Sequence, residues 1–391
     1  MVLPITYIST YPPKQCGIAT YTYDLITNMP KELKATVVAM VNTGEATSNS
    51  PVSTTIRRDN RDDYLAAAKF INKSNTRVVH LQHEFGLFGG EDGNYLLDFL
   101  AALEKPLVTT FHTVLSSPTK NQLQLVRQIS LSSHWVIVMS QEAKLILTQL
   151  YQLSPEKIAV LHHGVPNPLA TSRQELKVKY GLTSRKVIAS FGLLSRGKGM
   201  EYAIDAMGQI KDAHPEALYL IIGKTHPDVL ARQGEEYRTE LKEQVAKLGL
   251  EKNVKFIDEF LDKEKLIEYL TLTDIYLTPY PGKQQITSGT LAYAVGLGKA
   301  TVSTPFIYAK ELLAEGRGLF ADFCDGKSIA RGLEIILSSP KLQQEIESKA
   351  FEYGKYMRWS YVAQKHFTLY RRATGQMLVP DVGVSKLAVQ N

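Results

Sequence analysis

Short apolar, β-branched runs recur along this chain, with amphipathic stretches between most of them. In the first half the runs are ITYIST, ATVVAMV, RVVHLQH, PLVTTFH, WVIVMS and IAVLHHGV. Stretches such as RDDYLAAAKFIN and QEAKLILTQLY read as helices. Wholly apolar strands alternating with helices predict a parallel sheet covered on both faces. The polar connection PNPLATSRQE interrupts the pattern, which then restarts with KVIASFGL, ALYLIIGK, NVKFIDEF, DIYLTPY, KATVSTP and GLFADF. Helical stretches such as MEYAIDAMGQI and YRTELKEQVAKLGL lie between these runs. The chain is therefore expected to form two doubly wound α/β domains, residues 1–166 and 167–359, joined near Pro166–Thr171. Two helical stretches follow the last strand, QQEIESKAFEYGKYMRW and SYVAQKHFTLYRRA, with a break expected at Trp359-Ser360. Residues 377–391 show neither period and are expected to be unstructured.

A length of 391 residues favours two domains, and 44% hydrophobic with 21% charged residues is ordinary for a globular protein. The net charge of +6 is mild and mixed with acidic residues, so nucleic-acid binding is not required. A phosphate pocket or a peripheral membrane contact with anionic lipid fits as well. No run approaches the ~20 apolar residues of a membrane span. The start has no basic segment before an apolar core, so no secretory signal is expected. Cys16 and Cys324 lie far apart, and reduced thiols in a cytoplasmic protein are the expectation.

In open parallel sheets, ligands bind beyond the carboxyl ends of the strands, so the loops there matter most. YPPKQCGIATYTYDL places Gly17 at the start of a helix, where backbone can approach a ligand and anions are favoured. The spaced glycines and later acidic residue of a dinucleotide fingerprint are missing, and taken alone the loop reads better as a plain strand-helix turn. LQHEFGLFGGEDG and TFHTVL put His83, Glu84 and His112 at strand ends. Single histidines there are often structural. Two on neighbouring strands are expected to face the cleft and bond sugar hydroxyls. No third ligand has metal-site spacing, so no metal is expected. FGLLSRGKGMEYAIDA sets Arg196 and Lys198 around Gly197 ahead of a helix, as a phosphate or diphosphate needs. PYPGKQQITSGTLAYAVGLG puts Ser288, Gly289 and Thr290 at a helix start, as an anion cradle or simply a helix cap.

In this order the loops resemble glycosyltransferase family 4, over nearly the whole chain and most closely in FGLLSRGKGMEYAI, HHGV and SGTLAYAVGLGKATVSTP. The resemblance implies a GT-B fold, two Rossmann-like domains facing a deep cleft, with a final helix at about 360–376 crossing back to the first domain. It implies a retaining hexosyltransferase that uses a nucleotide-sugar donor and a carbohydrate or lipid-linked acceptor, with neither metal nor cofactor. The donor would lie in the second domain and most of the acceptor in the first. Lys198 matches the lysine of the family's arginine-lysine pair. Leu193 holds the arginine's usual place, with Arg196 as the expected substitute. His112 matches the active-site histidine, Gly17 the glycine loop, and Glu311 is expected to face the donor. His83 and Glu84 are expected on the acceptor side. Two glutamates eight positions apart are usual in the family, one for the donor sugar and one commonly for the ribose. Gln285 and Tyr293 stand in those places. Gln285 keeps a hydrogen-bonding group without charge, and Tyr293 is a poor substitute for bidentate ribose binding. This leaves a phosphorylase-like enzyme using a sugar 1-phosphate, or a non-catalytic sugar- or nucleotide-binding protein, as alternatives.

Overall fold

A computed structural model describes residues 2–45, 47 and 50–375. The segment 377–391, expected to be unstructured, lies outside the described residues. The first sheet comprises β1 (Leu3–Ser9), β2 (Leu33–Val41), β3 (Val52–Arg57), β4 (Val78–His83), β5 (Leu107–Phe111), β6 (Trp135–Val138) and β7 (Ile158–Val160). The second comprises β8 (Lys186–Phe191), β9 (Ala217–Ile222), β10 (Val254–Ile257), β11 (Ile275–Thr278), β12 (Ala300–Ser303) and β13 (Leu319–Phe320). Their orders are β3-β2-β1-β4-β5-β6-β7 and β10-β9-β8-β11-β12-β13, and all described pairings within both sheets are parallel. This is the doubly wound pair of domains that the alternating pattern predicts. In each sheet the chain reverses direction of travel beside its first strand, between β1 and β4 and between β8 and β11. Such switch points open a crevice for ligands at the carboxyl ends of the strands.

Strand β3 was not among the predicted runs. VSTTIR is polar and sits half-buried at the sheet edge, where no continuous apolar pattern is needed. Among the described residues no helix is long and apolar enough to cross a membrane.

The terminal helix Trp359–Ala373 packs Trp359, Val362, Ala363, Phe367, Leu369 and Tyr370 into the first domain's core, beside Tyr7, Tyr21 and Leu25. It begins at Trp359, where a break between two helices was expected. The two passages of chain between the domains bind each other. Val165 donates its N–H to the Met357 carbonyl at 2.8 Å, and Trp359 donates to the Val165 carbonyl at 3.0 Å. The Arg358 guanidinium donates to the Pro166 carbonyl at 2.6 Å.

Gly164 lies directly against the Trp359 indole: a Cβ there would stand 2.1 Å from a ring carbon. Neither group can retreat, because Trp359 is buried among Tyr21 and His163. Gly164→Ala is therefore expected to destabilise the protein by about 1–3 kcal/mol through overpacking. Chemical denaturation of the two proteins side by side measures this, and an unchanged midpoint would contradict it.

Candidate active site

The loop from β8 to the helix Met200–Ile210 runs through Lys198, and glycine at position 199 is required by geometry. Gly199 has φ +64°, and a Cβ there would lie 2.1 Å from the Pro279 carbonyl oxygen. This close approach brings Lys198 onto the loop that follows β11. Its ammonium donates to the Tyr280 hydroxyl at 2.9 Å and lies 4.3 Å from that ring's centroid. Tyr280 stacks on Phe306, with ring centroids 5.1 Å apart. Its hydroxyl is 2.9 Å from the Thr290 hydroxyl and 3.4 Å from that of Ser288. Ser288 caps the helix Gly289–Gly296, accepting from the Leu291 N–H at 3.3 Å. Burial alone would raise the Tyr280 phenol, but Lys198 and the two hydroxyls outweigh it and hold the phenol below its ordinary value. The structure thus brings Lys198, Ser288, Gly289 and Thr290 together at the β8/β11 crevice, and adds Tyr280, which the sequence reading had not singled out. A cation, three hydroxyls and a helix N-terminus in one place suit an oxyanion.

Arg196 is not part of that cluster. It is exposed, bonds Glu240 at 2.6 Å, lies 3.6 Å from Glu236, and covers the Tyr237 ring. The expected substitution for the missing arginine is thus not formed here: two carboxylates on the helix Glu236–Lys247 hold the guanidinium away.

Gln285 is exposed and donates its side-chain amide to the Thr287 carbonyl at 2.7 Å. The neighbouring Ile286 is buried in the first domain's core. The loop carrying Gln285 is therefore pinned across the cleft. Tyr293 also reaches across. It is buried, and its hydroxyl donates to Asp24 at 3.0 Å. Asp24 is wholly buried on the first-domain helix Gly17–Thr27 and also receives the Lys263 ammonium at 2.7 Å. Burial, and then the Asp24 carboxylate, keep the Tyr293 phenol protonated. Tyr293 is thus an interdomain contact and not the lining of an open donor pocket.

Glu311 departs from its expected role too. Its carboxylate accepts from the Gln141 N–H at 2.8 and 3.1 Å, at the start of the first-domain helix Gln141–Gln149. Burial raises its pKa. It caps a helix of the other domain instead of facing a donor.

On the first-domain side, Gly17 opens its helix with open space where a side chain would stand, and Cys16 caps the helix. His83 does not face the cleft. It is fully buried, 5.8 Å from Phe88 in a stacked arrangement, with Phe85 and Phe111 against its edges. Its register explains this: Val79 and Leu81 belong to the same apolar cluster, so the pleat carries His83 to the same face. Glu84 accepts from Phe85 N–H at 3.0 Å and from the Thr113 hydroxyl at 2.6 Å, bracing the loop beside His112. His112 stands just beyond β5, edge-on to Tyr21 with centroids 4.8 Å apart. Burial lowers its pKa to about 3, so it is a neutral hydrogen-bonding group. His163, missed as a site residue, lies at the seam. Its Nδ1–H donates to the Gly164 carbonyl at 2.8 Å, leaving Nε2 as an acceptor. A Cβ on Gly289 would be 2.9 Å from that nitrogen. The HHGV stretch at a strand end was the signal for it. Among the described residues no group of three or more His, Cys, Asp or Glu could hold a metal ion.

Two facing doubly wound domains make up the GT-B fold. Residues 16–167 match the family model described as Glycosyltransferase Family 4, and residues 172–353 that of Glycosyl transferases group 1. Between them the two models take in most of the chain, which belongs with the family 4-like glycosyltransferases. Anabaena HepE in complex with UDP is 16% identical, with TM-score 0.75, covering 95% of this chain and 100% of that one. Sucrose-phosphate synthase from Thermosynechococcus elongatus is 17% identical, with TM-score 0.76, covering 96% and 100%. A glycosyltransferase from Rickettsia africae ESF-5 is 18% identical, with TM-score 0.73, covering 96% and 100%. At these identities the likeness is one of fold. The search of curated proteins returned no match.

Removing the Tyr293 hydroxyl leaves the ring in place and takes one donor from a buried carboxylate. Tyr293→Phe is expected to cost about 1.5–3 kcal/mol, as for a hydrogen bond to a charged group. Equilibrium unfolding in urea reads this cost, and a cost near zero would mean that Asp24 does not depend on Tyr293.

Proposed function

We propose that this chain is a retaining glycosyltransferase that moves a hexosyl group from a nucleotide-sugar donor to a carbohydrate or lipid-linked acceptor without a metal. The observation that carries this reading is the Lys198, Tyr280, Ser288 and Thr290 cluster at the second domain's switch point. Lys198 neutralises the leaving diphosphate, and the Ser288 and Thr290 hydroxyls with the adjoining helix N-terminus share its remaining charge. The open N-terminus at Gly17 faces the diphosphate from the other wall. His112, neutral, accepts or donates a hydrogen bond at a sugar hydroxyl. The C1–O bond to the diphosphate breaks, the acceptor oxygen bonds to C1 on the same face, and the acceptor's proton passes to the leaving phosphate. The structures of Anabaena HepE in complex with UDP, and with UDP and glucose, support a uridine nucleotide as the first donor class to try. Two free cysteines fit the reducing cytoplasm.

A second reading, transfer from a sugar 1-phosphate, is favoured by one observation. The Tyr293 hydroxyl, at the position where a ribose-binding carboxylate is usual, is spent on Asp24. A donor screen with nucleotide-sugars and sugar 1-phosphates, detecting released nucleoside diphosphate and phosphate separately, decides between the two. Release of neither with any donor would overturn both.

With the matched donor, Lys198→Ala is expected to lower turnover about 10²- to 10³-fold, the effect of losing one preorganised charge contact. The fold is expected to persist, because Lys198 lies in a short turn and its ammonium bonds only the Tyr280 hydroxyl among the contacts described, a contact the backbone does not depend on. Steady-state kinetics and a melting curve check the two halves of this prediction; full turnover would remove Lys198 from the site.

A further inference from the structure

A chain of buried polar side chains runs from the terminal helix to His112. The Tyr370 hydroxyl is 2.7 Å from His80 Nδ1. His80 Nε2 is 2.8 Å from the Thr110 hydroxyl. The Gln82 amide nitrogen lies 3.3 and 3.4 Å from the two ring nitrogens of His80. The other end of that amide, Gln82 Oε1, is 2.7 Å from His112 Nε2. His80, Gln82, Thr110 and Tyr370 are each 0% exposed. Residues 80 and 82 lie on one face of β4 by its pleat, and Gln82 sits in register with Thr110 of β5.

An amide oxygen can only accept, so His112 must carry its proton on Nε2 and leave Nδ1 as an acceptor. With the amide turned over, its nitrogen would face His112 and its oxygen the His80 ring, and His112 would then carry its proton on Nδ1, so the orientation of the amide and the tautomer of His112 are one choice. We infer that Gln82 is a positioning residue for His112, fixing both the ring's orientation and its tautomer, and that His80 and Tyr370 hold Gln82. The terminal helix is thereby part of the support of His112. Resting on the proposed transfer reaction, the consequence is that His112 meets a substrate hydroxyl as an acceptor at Nδ1.

The tautomer can be read without any substrate, so the inference and the proposed function fail separately. Histidine-selective ¹⁵N labelling, with His112→Gln to assign the signal, is expected to show His112 as the Nε2–H tautomer. Its Nε2 proton should exchange slowly with solvent. An Nδ1–H tautomer, or exchange as fast as that of an exposed histidine, overturns the inference. In Gln82→Leu the proton should lose its protection, and in Gln82→Glu, which keeps an acceptor, protection should remain. With an active donor, Gln82→Leu should lower kcat about 10- to 100-fold, with donor KM within about twofold. Tyr370→Phe, the milder change, should move kcat in the same direction. Unchanged proton exchange and unchanged kcat in Gln82→Leu would reduce Gln82 to a packing residue. Should that variant not fold, the wild-type tautomer and Tyr370→Phe decide alone.

Discussion

The structure depends on the two passages between its domains being bound to one another. Val165 exchanges backbone hydrogen bonds with Met357 and Trp359, and Arg358 reaches the Pro166 carbonyl. Two separate linkers would leave two sheets free to twist. A hydrogen-bonded pair gives them one hinge. The helix that carries Ser288, Thr290 and Tyr293 ends on this hinge. A Cβ on Gly296 would lie 2.6 Å from Val165, and one on Gly354 would lie 2.4 Å from the Gly296 carbonyl. Only glycine at both places lets the site helix and the crossing segment touch. Any rotation of the domains about the crossing is therefore felt at the end of the helix whose start carries Ser288 and Thr290 beside Tyr280 and Lys198.

The closed arrangement is held by polar groups that would be costly to leave bare. Asp24 is buried entirely, and Lys263 and Tyr293 from the other domain supply its donors. Glu311 finds its donors at a helix N-terminus across the cleft. Opening the cleft returns Asp24, Tyr293 and Glu311 to water, which solvates them well, so these bonds fix geometry more than they add net stability. The buried Ile286, inserted among first-domain side chains, provides the nondirectional part of the contact.

The periodicity of the sequence made the architecture legible because both sheets are parallel and nearly all their strands are apolar. The edge strand β3 escaped for the same reason: exposed on one side, it needs no apolar run. Lys198 and the Ser288–Thr290 turn were legible because local chain geometry alone puts them beside a helix start. Arg196 was not, since its position is decided by Glu236 and Glu240, some forty residues on. Tyr293 and Glu311 were misread because their partners lie in the other domain, at sequence separations of 269 and 170. His83 is different, because the information was present. VVHLQH alternates, and counting by two from Val79 and Leu81 assigns His83 to the apolar face, while His80 and Gln82 fall together on the other.

The two walls of the cleft divide the electrostatics between them. The second-domain wall presents the Lys198 ammonium next to a phenol whose pKa it lowers. The first-domain side has histidines that burial keeps uncharged: His112 at about 3, and His163 at the seam at about 4. A protonated histidine opposite Lys198 would compete for the same anion and would pay a desolvation cost as well. Neutral imidazoles avoid that competition, and with their N–H groups bonded to Gln82 and Gly164 they each keep one acceptor. For a substrate with charge at one end and hydroxyls at the other, this asymmetry is an orienting device. The phosphate end is drawn to the single cationic wall, and the uncharged end is left to directional hydrogen bonds, where the tautomer of each imidazole decides which hydroxyl it can receive.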